Sequence, residues 1–296
     1  MKYRFTHEKD KVWKNVKSFN HYSIAISYFI SFFKMTHFVN YSTHYTIHSP
    51  LEQFSVIAFL PLNLSVIDLS LTNSAIYCLL TIGCIQAIGG LLFIQGGLVV
   101  PSQYQVTAEL IYQFISSLVH EQLGPKYAAP YVGIVMTVFI YILTANLLGL
   151  IPFSFATTAQ LVVAFGLSFS LFIGVTLIGV VKHGLHFLSF FLPSGAPIAL
   201  APLLVIIELI SYIFRPISLG VRLFANITAG HSLLAIIAGF CWTMIASSST
   251  LLTLLAFIPA VVIVAIFGLE LAVAFLQAYV FGVLLCIYLK DAIELH

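Results

Sequence analysis

The chain has 296 residues, 60% of them hydrophobic and 14% aromatic, with only 7% charged and a net charge of +2. A mean hydropathy of +1.07 excludes an ordinary soluble domain, and the near-neutral balance offers no basic face for nucleic acid. What remains is a multi-spanning helical membrane protein. Cys78, Cys84, Cys241 and Cys286 stand singly in apolar runs without metal-ligand or redox spacing, so a packing role is expected and no cofactor is implied.

Residues 1–73 read as an N-terminal extension of unknown function, and 74–296 as a single transmembrane domain. Lys2, Arg4, Lys9, Lys11, Lys14 and Lys17 make a basic start. The apolar patch that follows, 22–33, ends at Lys34 and is too short to cross a bilayer. Two readings stay open, a targeting presequence and a retained surface segment, with Glu8 and Asp10 weighing against the first.

The first full span is predicted over 74–100. A helix over 102–124 then alternates in character: Val106, Leu110, Ile111, Phe114, Ile115, Leu118 and Val119 recur at helical spacing, opposite Gln105, Glu109, Gln113, Ser117, His120 and Glu121. Ser102 with Gln105 suits a capping box, and Gly124-Pro125 a stop. Such a helix lies along the membrane surface or packs with one wet face. Spans over 127–150 and 157–181 follow as a hairpin turning near Pro152. Lys182, His183 and His186 mark an interfacial link into a loop or short re-entrant piece around 187–195.

The last hundred residues hold most of the intramembrane charge. Between 127 and 289 the only Lys, Arg, Asp or Glu residues are Lys182, Glu208, Arg215, Arg222 and Glu270. Runs 198–240 and 251–289 would each extend roughly 60 Å as helices, about twice the hydrocarbon core. Two long, strongly tilted helices, bent at Pro216 and Pro259, are therefore expected, giving about five membrane helices in an all-α fold.

Helical arithmetic orders the polar residues on these two runs. Glu208, Ser211, Arg215 and Asn226 fall within about 40° of Arg222, forming one stripe, while His231 falls on the opposite side about 13 Å further along. Glu270 and Gln277, seven apart, share a face that Tyr288 continues. An arginine at bilayer depth costs about 3 kcal/mol on insertion scales and does not escape by deprotonating, so Arg222 calls for a function. Two separated polar routes with Arg222 between them fit this pattern better than one pore.

At these residues a resemblance becomes specific. The segment LELISYIFRPISLGVRLFANITAGHSLL, together with LTANLLGLIPFSF, QVTAELIYQFISSLVHEQLG and GLELAVAFLQAYVFGVLLCIYLKDAIELH, resembles subunit a of the mitochondrial F-type ATP synthase. The likeness covers about 102–296 and is weak before Ile76. It implies a non-catalytic, proton-translocating stator subunit of the inner membrane, its two long helices lying against a ring of c subunits that each carry an essential carboxylate. Arg222 occupies the position of the family's essential cation. Asn226, His231, Glu270 and Gln277 match positions of the channel from the intermembrane space, and Glu208 matches the acidic position on the matrix side; Ser211 joins it from the stripe alone. The resemblance also implies other Fo and peripheral-stalk subunits, lipids and a synthase dimer as partners, with the N-terminus in the intermembrane space. The basic first residues, counted by the positive-inside rule, pull the other way.

Each residue carries a plainer alternative. Arg222 would serve as an interhelical salt bridge to Glu270 or Glu208, Glu208 as a buried neutral acid, and His231 as a hydrogen-bonded core histidine. Asn226 and Gln277 would serve as amide glue between helices. Other classes fit worse: no internal repeat suggests a secondary transporter, no opposed histidine pair suggests haem, and no Gly-x-Ser-x-Gly motif suggests a hydrolase.

Overall fold

The computed structural model describes residues 49–296 except 50, 62, 65–66, 69, 95–102, 153, 185–186, 188–200, 248–249 and 295–296. The basic start, the 22–33 patch, Ser102 of the capping box and nearly all of the 187–195 piece lie outside the described residues. Seven α-helices are described: α1 (Asn73–Ile94), α2 (Gln103–Leu123), α3 (Val132–Gly149), α4 (Leu161–His183), α5 (Ala201–Ala246), α6 (Thr250–Leu255) and α7 (Phe257–Ile293). Among the described residues, five segments are long and apolar enough to cross a membrane: α1, α3, α4, α5, and α6 with α7. Before α1, strand Ala58–Leu60 pairs antiparallel with Leu71–Thr72, and Asn63–Leu64 with Ile67–Asp68.

Local chemistry sets several boundaries. Helix α2 stops where Gly124 adopts φ 77°, its N–H donating to the His120 carbonyl at 3.0 Å, a turn that favours glycine. Helix α3 begins at Val132 rather than 127: residues 125–131 wind as separate turns, closed by Ala128 N–H on the Gly124 carbonyl and Val132 N–H on the Ala128 carbonyl, and Pro130 has no N–H with which to join them into one helix. Helix α4 begins at Leu161 because Thr157–Ala159 winds as a 3-10 turn and Gln160 is extended. The predicted hairpin of α3 and α4 also separates: α3 packs on α7 and α1, α4 on α5 and α7, so α7 is the element they share.

The core forms around α7, whose Phe281 and Leu289 share one buried cluster with Val119, Val135, Ile142 and Leu223. Helix α2 contributes only its second half, through Ile115, Leu118, Val119 and Leu123, while Val106, Leu110 and Ile111 stay exposed. Close contact of α4 with α5 depends on small residues: a Cβ at Gly220 would sit 2.8 Å from Ser168 Oγ and 3.3 Å from Phe165 Cα. The ends of α4 and α7 are also joined. Lys182 Nζ and His183 Nε2 donate to the Ile293 carbonyl at 3.3 and 3.0 Å, satisfying an acceptor that α7 leaves open.

Helix α5, with 46 residues, spans about 69 Å, and α7, with 37, about 55 Å, so both exceed the roughly 30 Å hydrocarbon core. Pro216 lies inside α5 and removes one backbone hydrogen bond, a local cause for the bend of the long pair. Pro259 interrupts the last run as expected: without an N–H it cannot donate to the Leu255 carbonyl, and the helix breaks just there, at buried Ala256 between α6 and α7.

Candidate functional site

Because α5 is continuous from 201 to 246, the angular order of its polar residues survives folding. Arg222, Ser211 and Asn226 are exposed, on an arc that also includes Phe214, Ser218, Val221 and Ala225. No carboxylate among the described residues lies within ion-pair distance of Arg222, so the expected alternative of a bridge to Glu270 or Glu208 is not formed.

Toward the start of α5 stands a three-residue charge cluster. Arg215 reaches Asp291 of α7 at 2.7 Å and Glu208 at 3.6 Å. Rings of Tyr212 and Tyr288 lie 5.6 and 5.5 Å from its guanidinium, so the cation sits between two aromatic faces. Glu208 is therefore neither isolated nor fully buried: its side chain is 35% exposed beside a cation. Tyr288, five turns along α7 from Glu270 and on the same face, belongs to this cluster.

Past Arg222, α5 and α7 are joined first by amides and then by a set of buried polar side chains. Asn226 Nδ2 donates to Gln277 Oε1 at 2.9 Å, and Gln277 is 1% exposed. One turn from Gln277, Asn146 of α3 donates to the Ala274 carbonyl at 3.5 Å. Glu270 is buried at 8% exposure, lying so close to Gly230 that a Cβ there would overlap its carboxylate. His231, half-buried, meets the Phe54 ring edge to face at 6.3 Å. Both Glu270 oxygens, His231 Nε2, Thr158 Oγ1 and Thr228 Oγ1 are buried without a hydrogen-bond partner. Leaving such atoms unmatched typically costs about 1–3 kcal/mol each, so folds keep them where polar chemistry or hydration uses them.

The structure thus brings Asn226 to Gln277, brings Glu270 against Gly230, the residue before His231, and keeps Glu208 apart beyond Arg222. Ser211 sits on the exposed arc. Several residues of these clusters had no expected role. Asp291 could have been found from its heptad register, seven-residue steps after Glu270 and Gln277, and Arg215 from its place on the stripe. Asn146 lay inside a quoted motif but carried no pattern. Gly230 and Phe54 gave no signal, since their importance lies in what approaches them.

Ionisable side chains carried on two overlong membrane helices, with an unpaired cation between two polar clusters, define the class: an ion-translocating membrane subunit. The family model described as ATP synthase A chain matches residues 72–290. ATP synthase subunit a of Marchantia polymorpha is 48% identical over 250 residues, covering 84% of this chain and 99% of that protein. Subunit a of Oenothera berteroana is 47% identical over 253 residues, covering 84% and 90%, and that of Chondrus crispus 44% identical over 254, covering 86% and 99%. The chain belongs to the ATP synthase A chain family. It is a proton-translocating component of Fo and a multi-pass protein of the mitochondrial inner membrane.

Proposed function

We infer that this chain provides two offset half-channels to a rotating ring of c subunits, with Arg222 as the electrostatic partition between them. The observation that carries this reading is the exposed guanidinium of Arg222, without an acid partner among the described residues and set along α5 between the Glu208 cluster and the residues His231 and Gly230, where Glu270 lies. Its working counterion then belongs to another subunit. The exposed arc with Phe214, Val221 and Ala225 is the face that receives the ring. Remaining uncovered faces serve other Fo and peripheral-stalk subunits, lipids and the dimer contact.

Electrostatics supplies the mechanism. A ring carboxylate turned to lipid is held neutral by the cost of burying charge, whereas beside a cation its ionised form is favoured. Arg222 thereby draws protons off the ring. Protons enter past His231 and Glu270, with Asn226 and Gln277 along the wall, and neutralise a ring site that then moves through lipid. Nearly one turn later the site discharges toward Glu208 and Ser211 on the matrix side. Because arginine does not relay protons at physiological pH, Arg222 also blocks a direct leak between the routes. In assembled complexes carrying Arg222→Ala, coupled ATP synthesis should be abolished; normal synthesis would overturn the reading.

A further inference from the structure

Residues 51–57 have one turn of regular structure, the 3-10 helix Glu52–Phe54, yet they are tied down from two directions. From the link before α4, Gln160 Nε2 donates to the Phe54 carbonyl at 2.8 Å. From the start of α1, Asn73 Nδ2 donates to the Ser55 carbonyl at 3.0 Å and its backbone N–H to the Ile57 carbonyl at 3.1 Å. Asn73 Oδ1 accepts from the Ile57 N–H at 3.3 Å. Ordering backbone costs about 1–2 kcal/mol per residue, so this many ties on so short a strap indicate a position that is specified.

What the ties hold in place is Phe54. Its side chain packs on Ala156, Ala159 and Ile227, and its ring meets His231 at 6.3 Å with the planes 79° apart. Among the described residues His231 makes no hydrogen bond, so Phe54 is the ring contact that restricts its second side-chain torsion, which is otherwise broad. Of the titratable side chains on the elements packed here, Glu270 of α7 lies against Gly230, the residue before His231, and Glu52 of the strap is exposed; the link Thr157–Ala159 has none.

We propose that residues 51–57 form the outer wall of the entry route and that Phe54, anchored by Gln160, is a positioning residue for the His231 imidazole. This rests on the half-channel reading above. Held by an apolar ring, the imidazole keeps one orientation while its Nε2 stays free of competing bonds. Released, it samples orientations that do not pass a proton onward, and a higher proton concentration outside is needed for the same flux.

The test uses intact synthase in proteoliposomes, with proton conduction measured against outer proton concentration for Phe54→Ala, Phe54→Tyr, Gln160→Leu and His231→Ala. Phe54→Ala should raise the half-saturating concentration several-fold at nearly unchanged maximal rate, and Phe54→Tyr should restore it. Gln160→Leu should show the same change at smaller size, and decides the matter if Phe54→Ala fails to assemble. Unchanged half-saturation in Phe54→Ala, or equal slowing of conduction in both directions, overturns the positioning role when His231→Ala still slows entry. No effect in either variant overturns the entry route as well.

Discussion

Gly230 on α5 and Glu270 on α7 fit together through the absence of a side chain: a methyl at residue 230 would overlap the Glu270 carboxylate. The glycine lets a buried acid lie against the helix that carries His231. Since the atoms in conflict are the far end of a flexible side chain, Gly230→Ala should displace the carboxylate rather than unfold the protein, at about 1–3 kcal/mol for overpacking. The complex should assemble, with proton entry slowed and release unaffected, as read by half-reaction kinetics. Wild-type entry rates would show that Glu270 works equally well elsewhere.

Asn226 and Gln277 test whether an amide bridge stabilises the α5–α7 contact. Removing the donor with Asn226→Leu leaves Gln277 Oε1 buried and unmatched, which should cost about 1–3 kcal/mol. Replacing both by Leu should recover much of that loss. A double-mutant cycle on the thermal stability of the solubilised complex gives the coupling directly; strict additivity would mean that the bond contributes nothing.

Arg215 lies between two carboxylates, and the side chains of all three are only partly exposed, at 22, 35 and 28% for Arg215, Glu208 and Asp291. Solvent screening therefore limits each pair to about 1 kcal/mol or less. Asp291→Asn should be mild, since Glu208 remains beside the guanidinium, whereas Arg215→Leu leaves two uncompensated acids and should lower the melting temperature more. Equal losses from the two substitutions would contradict this arrangement of charges.

Much of the helical frame was legible because its causes are local. Apolar runs, the glycine stop at Gly124 and the sheer length of the last two runs follow from neighbours in sequence. The stripe on α5 was legible for the same reason: an unbroken helix carries Glu208, Arg215, Arg222 and Asn226 at angles its pitch dictates. Pro259 was legible too, because a proline's missing N–H and its clash with the carbonyl four residues earlier act within its own turn and set the break at Ala256.

By itself, then, the sequence determined a multi-spanning α-helical protein, two overlong helices and a cation that needed a partner. Tertiary structure decided who meets whom. Arg215 finds Asp291 across 76 residues of chain and Asn226 finds Gln277 across 51, because α7 folds back antiparallel along α5. Phe54 reaches His231 only because Gln160 and Asn73 fold an irregular strap onto α5. Periodicity fixes which way a side chain leaves its own helix; where another element crosses that direction depends on close packing, which no local pattern encodes.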